Sequence, residues 1–220
     1  RLALRMVARQ PLVSCVIVLV IALGSGAVTT IYSAMNALVL RPVPGVAAPE
    51  TLVALQPMRR NGEILQQTSF NRYVALRDHA TSLDGIAVWG RVALTLSSGG
   101  QSGVAVFGNI VSANYFDVLG VRPVAGRLLA PGDDTSPGAN PLLVVSHEYW
   151  LTHLAGDPAA IGQTIAVNGH PFTLIGVAPP GFHGVFTGMH PDAWVPASMQ
   201  PHVRPRSDLD ASWLWMFGRL

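Results

Sequence analysis

The residues best suited to chemistry are seven histidines, of which His183, His190 and His202 come nearest to a cluster, spaced by 7 and 12. Zinc would call for a tighter pattern, and the sequence has no HExxH, no CxxC and no second carboxylate pair nearby. Scattered surface histidines are expected, with no metal and no cofactor. Ser102 sits in the glycine-rich stretch from Ser98 to Gly103. A nucleophile elbow, GxSxG, would need glycine where Val104 stands, so the stretch is expected to be a hairpin loop. Asp133 and Asp134 follow Gly126-Arg127, and an adjacent acidic pair could do acid–base work or bind a cation. The expected reading is an Arg127–carboxylate pair that fixes a loop. All 14 basic residues are Arg. Without Lys there is no Walker A loop and no Schiff-base lysine, so the chain is not its own P-loop ATPase.

The elements that must position these residues begin with a membrane segment. Hydrophobic residues make up 50% of the 220 positions and charged residues only 12%, about half the charge of an average soluble domain. From Gln10 to Leu40 there is no Asp, Glu, Lys, Arg or His. A helix over Leu12 to Leu40 would reach about 44 Å, against a hydrocarbon core of ~30 Å. It is expected to be a transmembrane helix that tilts or continues past the far headgroups, where Thr29, Thr30, Ser33 and Asn36 lie. A cleaved signal peptide is disfavoured by the length of the apolar run and by the lack of a small-x-small site before Arg41. Arg1, Arg5 and Arg9 recur every four residues, forming one charged stripe on a juxtamembrane stub, residues 1–11. The positive-inside rule places that stub in the cytoplasm and residues 42–220 outside it. Ala22, Gly26 and Thr30 form a small-residue stripe that predicts packing against another transmembrane helix.

These terminal arginines also explain the basic pI near 9.1. Residues 42–220 hold 10 Arg against 12 Asp and Glu, which gives no footprint for nucleic acid. Cys15 is the single cysteine and lies in the apolar run, so no intrachain disulfide is possible. The sequence starts with Arg rather than Met and stops at Leu220 without a polar tail. It is read as a piece of a longer protein, with further apolar spans expected after it.

Residues 41–49, with two prolines and a glycine from Val43 to Pro49, form a stiff linker. Beyond it an α+β domain is expected over 50–220, with strands outnumbering helices. Strands are predicted over Thr51–Gln56, Gly85–Trp89, Val92–Ser97, Val104–Val111, Pro141–Ser146, Ala193–Val195 and Trp213–Leu220. Helices are predicted over Ser69–Ala80, Ala113–Leu119 with Ser112 as cap, and His147–Ala155. Asn168-Gly169, between Thr164–Val167 and Phe172–Val177, reads as a type I′ turn, because both central residues must take positive φ. Trp89, Trp150, Trp194, Trp213 and Trp215 are expected in the core.

The run Leu23-Gly-Ser-Gly-Ala-Val-Thr-Thr-Ile-Tyr-Ser-Ala-Met-Asn-Ala-Leu-Val-Leu-Arg-Pro-Val-Pro44 resembles the first transmembrane helix and its exit in MacB/FtsX-type ABC transporter permeases, closest to their duplicated orphan branch. The resemblance continues through Asn109-Ile-Val-Ser-Ala-Asn-Tyr-Phe-Asp-Val-Leu-Gly120, Ala125-Gly-Arg127 and Val144-Val-Ser-His-Glu-Tyr-Trp150. Ile161-Gly-Gln-Thr-Ile-Ala-Val-Asn-Gly169 and Phe172-Thr-Leu-Ile-Gly-Val-Ala-Pro179 complete it. It implies one transmembrane helix followed by a two-lobed, strand-rich MacB-like periplasmic core domain. The lobes would be Porter-like, about 50–140 and 211–220, and Sabre-like, about 141–200. The implied role is a non-enzymatic permease subunit in the bacterial inner membrane that transmits ATP-driven motion from the cytoplasm to a periplasmic domain for export or efflux. Implied partners are membrane lipid, a cytoplasmic ABC ATPase coupling near Arg1, Arg5 and Arg9, a second permease copy or half, and a periplasmic adaptor. The alternative is a membrane-anchored interaction or sensor module without transport.

Overall fold

The computed structural model describes residues 11–35, 44–98, 102–134, 136–186, 188–204 and 209–220. They fall into two units, divided between residues 42 and 43.

The first unit contains helix α1, Pro11–Met35. Pro11 suits the first helical position, where no intrahelical N–H bond is lost. Cys15–Ser33 averages a hydropathy of 2.2, and 19 residues at about 1.5 Å each are enough to cross a hydrocarbon core. The hydroxyls of the second half bond within the helix: Ser25 Oγ donates to the Ile21 carbonyl at 2.7 Å and Thr29 Oγ1 to that of Ser25 at 2.7 Å. Apolar surroundings would otherwise leave them unsatisfied. Residues 36–40 of the predicted span, and 41–43 of the predicted linker, lie outside the described residues.

Among the described residues the second unit has nine strands: β1 (Leu52–Leu55), β2 (Gly85–Ser97), β3 (Val104–Val111), β4 (Ala125–Gly126), β5 (Leu142–Val145), β6 (Thr164–Val167), β7 (His170–Val177), β8 (Ala193–Pro196) and β9 (Trp215–Arg219). The described helices are α2 (Phe70–Arg77), α3 (Tyr115–Leu119), α4 (His147–His153) and α5 (Gln200–Val203). The strand order is β1-β9-β2-β3-β8-β5-β7-β4, and β6 pairs with both β2 and β7. Six strands, β2-β3-β8-β5-β7-β6, therefore close into a ring. The first half of β2 continues outward through β9 to β1. Most ladders are antiparallel, but β3–β8 and β5–β7 are parallel.

Period-two alternation assigns each strand's side chains to one of two cores. Leu94, Leu96, Ile110, Leu143, Val145, Ile165, Val167, Phe172, Leu174, Ala193 and Val195, from all six ring strands, share one buried cluster. Val111, Val144 and Trp194, from the opposite face, join Tyr115, Phe116 and Leu119 of α3 in the other. Trp194 is fully buried there, which at ~25 cal/mol per Å² makes it one of the larger single contributions to the fold.

The type I′ turn forms as predicted, with φ of 50° at Asn168 and 84° at Gly169. Asn168 Oδ1 also accepts from the Thr95 N–H at 2.8 Å, tying the turn to β2. Ser69 caps α2 and Ser146 caps α4, each hydroxyl accepting an N–H from three residues on. Two expectations need correction. The strands predicted over Gly85–Trp89 and Val92–Ser97 are one 13-residue strand. Gly90 marks close packing rather than a break, since a Cβ there would lie 2.4 Å from Trp213 Cζ3. Ser112 does not cap α3: its Oγ accepts from the Val88 N–H at 3.0 Å, and Asn114 stands at the cap position. Part of the predicted loop at Ser98–Gly103, residues 99–101, lies outside the described residues.

Candidate functional site

The structure brings together some of the sequence-selected residues and separates others. His183 and His190 stack with ring centroids 3.8 Å apart, whereas His202 meets His170 at 5.1 Å. No group of three His, Cys, Asp or Glu among the described residues has a metal-binding arrangement. Arg127 grips Asp133 with two bonds, 2.6 Å and 3.0 Å, and Asp133 Oδ2 also accepts from the Ala130 N–H. That is the loop-fixing pair. Asp134 turns away to accept from the Ser198 N–H at 3.0 Å, and burial pushes its carboxyl above the usual carboxylate range. Ser102 lies on the exposed approach to β3. Trp89, Trp194 and Trp213 are buried, while Trp150 and Trp215 are half-buried. In α1, Thr30 Oγ1 donates to the Gly26 carbonyl at 2.8 Å, and a Cβ on Gly26 would meet nothing within 4 Å. Arg1, Arg5 and Arg9 lie outside the described residues.

Two arginines that sequence reasoning passed over organise the domain. Arg219, at the end of β9, holds the segment that leads into β1. Its Nε donates to the Val118 carbonyl at 2.6 Å, Nη2 to Ala47 at 2.6 Å, and Nη1 to Ala48 at 3.2 Å and Thr51 Oγ1 at 2.7 Å. The strap is further stitched by Ala47 N–H to Leu119 O, Thr51 N–H to Ala48 O and Leu220 N–H to Thr51 O. Ala48 is left-handed at φ 42°, a conformation that costs an alanine about 1–2 kcal/mol. Backbone strain of this kind persists only where surrounding bonds over-determine it. Gly120 permits the close approach: at φ 66°, a Cβ there would stand 2.6 Å from that of Ala47. Leu52 lies opposite Arg219 in the ladder, so the chain enters β1 where β9 ends. The legible signal was an Arg with no neighbouring acid in an otherwise apolar strand.

Arg91, midway along β2, lies in an aromatic setting. Trp89 stacks on Trp215 at 4.9 Å and approaches Phe186 at 5.9 Å. The Arg91 guanidinium carbon is 5.3 Å from the Phe186 ring centre and 5.2 Å from that of Trp215. Trp89, Arg91 and Phe186, with Phe107, Asn109, His183 and Met189, line a cavity of about 240 Å³. Trp89 also lines a second cavity, of about 370 Å³, over β1 and β9. Burial and the neighbouring His190 lower the His183 pKa, against a smaller opposing pull from Glu148.

A family model described as the MacB-like periplasmic core domain matches residues 14–216. No curated protein matches. Among solved structures, the chain is similar to the periplasmic region of MacB from Actinobacillus actinomycetemcomitans, at 17% identity and a TM-score of 0.60, over 82% of this chain and 78% of that one. The extracellular domain of the noncanonic ABC-type transporter YknZ from Gram-positive bacteria gives 15% and 0.56, over 76% and 83%. A domain of a permease protein from Porphyromonas gingivalis gives 13% and 0.55, over 82% and 76%. At such identities the likeness establishes a shared fold.

Proposed function

Because the chain belongs to the family of MacB-like periplasmic core domains, we propose that it is the anchored part of an ABC transporter permease that carries membrane motion into an extracytoplasmic domain. The observation that carries this reading is the Arg219 clamp. A force transmitter needs its input segment fastened to the body it moves, and here a strained strap is bound by one guanidinium to both α3 and the last strand. The similar solved structures, the periplasmic region of a MacB and the extracellular domain of an ABC-type transporter, support the setting.

In this reading α1 crosses the bacterial inner membrane, the Arg1, Arg5 and Arg9 end is cytoplasmic and residues 42–220 are periplasmic. Ala22, Gly26 and Thr30 pack against a neighbouring helix, and a separate cytoplasmic ABC ATPase hydrolyses ATP. The partners are that ATPase, a second permease copy or half and a periplasmic adaptor, and the output is export or efflux of a substrate. The domain divides into a Porter-like lobe, about 50–140 and 211–220, and a Sabre-like lobe, about 141–200. The position of β9 between β1 and β2 supports grouping the last strand with the first lobe.

The test is to purify the full-length parent protein from membranes and identify its companions by mass spectrometry. Co-purification of an ABC ATPase, with ATP turnover reduced by Arg219→Ala, is the expected result. An intact complex without any ATPase would overturn the transporter reading in favour of an anchored sensor.

A further inference from the structure

We propose that the cavity at Arg91 is a binding site for a small amphiphile: a compact apolar body seated on Trp89, Phe107 and Phe186, bearing a single carboxylate or sulfonate held by the Arg91 guanidinium. The inference is independent of the transport reading, since it rests on the composition of the cavity alone.

The lining is mainly apolar, with three convergent polar side chains, Arg91, Asn109 and His183. That mixture is the usual make-up of ligand pockets. No acidic residue lines it. Arg91 forms no ion pair among the described residues. A guanidinium offers five N–H donors. Ring contacts use none of them, and the one side-chain bond Arg91 makes among the described residues is to the soft Met189 Sδ, at 3.3 Å. The aromatic rings lie against the guanidinium and leave its N–H edges open to a charge-assisted bond with an incoming anion.

Three further observations point the same way. Asn109 is 5% exposed yet lines the cavity, and His183 Nδ1 is buried without a partner. Buried polar groups are ordinarily satisfied, so the His183 nitrogen, unpartnered among the described residues, is available to a polar substituent. Phe107 is 60% exposed and Phe186 42%, and large apolar rings facing solvent around a cation mark a contact surface. At about 240 Å³ the cavity is slightly below the usual ligand range, which suits a compact apolar body.

The experiment uses the full chain in nanodiscs of neutral phosphatidylcholine, with empty nanodiscs subtracted. Two probes of nearly the same shape are titrated: the anionic 8-anilino-1-naphthalenesulfonate and the uncharged N-phenyl-1-naphthylamine. Both are followed by energy transfer from tryptophan. The expected result is saturable binding of the anion to one site per chain. Arg91→Gln should weaken it about tenfold or more, as loss of a charge-assisted bond implies, while the uncharged probe changes less than about twofold. Phe107→Ala, at an exposed position that does not threaten folding, should weaken both probes. The proposal is overturned by the absence of saturable binding, by an Arg91→Gln variant that binds the anion as the parent does, or by equal loss of both probes on that substitution.

Discussion

Arg219 and Arg91 are two arginines on neighbouring strands, neither with an acidic partner among the described residues, and they are used in opposite ways. Arg219 commits its donors to three backbone carbonyls and a hydroxyl, all belonging to elements that must stay together. Arg91 touches two rings and a thioether, leaving most of its donors unused. A guanidinium whose donors meet main-chain acceptors is a fastener, and one whose faces meet rings while its edges stay open is a receptor. The difference lies in the neighbours: a strap that turns main-chain carbonyls toward the end of β9, and aromatic side chains around the middle of β2.

The sharpest way to break this contrast is Arg219→Ala, which takes away the donor that the Val118 and Ala47 carbonyls share and unties the strap from α3. A loss of about 2–3 kcal/mol is expected, read by chemical unfolding of the full-length chain, together with new proteolytic cleavage within residues 44–51. Arg219→Lys should recover little, since an ammonium cannot reach acceptors spread across a planar fork. Next is Gly120→Ala, which keeps the guanidinium but pushes the strap away. Its left-handed φ and the contact with Ala47 predict a loss of about 2 kcal/mol and the same proteolytic signature. If Gly120→Ala destabilises without exposing the strap to protease, fastening at α3 is not what holds it.

Arg91→Gln should behave differently. Ring contacts at an exposed site are worth about 0.5–1 kcal/mol, so the unfolding midpoint should barely move while binding of the anionic probe falls. A loss as large as that of Arg219→Ala would make Arg91 a second fastener. The smallest expected effect is on pH dependence near the cavity. His183 is held below its usual pKa by burial and by His190, so the unfolded chain takes up this proton more readily than the folded one. Stability should therefore fall as pH drops through about 6.5, and the decline should end once the folded-state value is passed. Glu148, which pulls the other way on His183, tempers it. His183→Ala should flatten the slope between pH 7 and 5.5, measured by thermal unfolding; an unchanged slope would remove the stacked pair as its source.

Much of the fold was legible because it rests on local rules. The Asn168-Gly169 turn, the strands predicted over Val104–Val111 and Pro141–Ser146 and the helix starting at His147 are each decided within a few residues. Gly90 misled because its meaning is tertiary: only the ring of Trp213 across the core explains why no side chain fits there. Ser112 misled for the same reason, its hydroxyl being claimed by β2 instead of by the next helix. The site was less legible still. Arg219 reaches a strap some 170 positions earlier in the chain, and the Arg91 surroundings come from β2, β3, β9 and the β7–β8 connection, so no spacing rule could reveal either. Arg127 and Asp133, six residues apart, were readable as a pair because the contact is local.

The closed circuit of β2, β3, β8, β5, β7 and β6 has a consequence for how the domain comes apart. Every strand in it is zipped on two sides, so none can fray away singly, and amide protons there should exchange only through a concerted opening. β1 is hydrogen-bonded to β9 alone, and its four residues should exchange first. The domain is thus graded from a loosely guarded rim beside the strap to a ring that opens all at once, and hydrogen exchange followed residue by residue would trace that gradient.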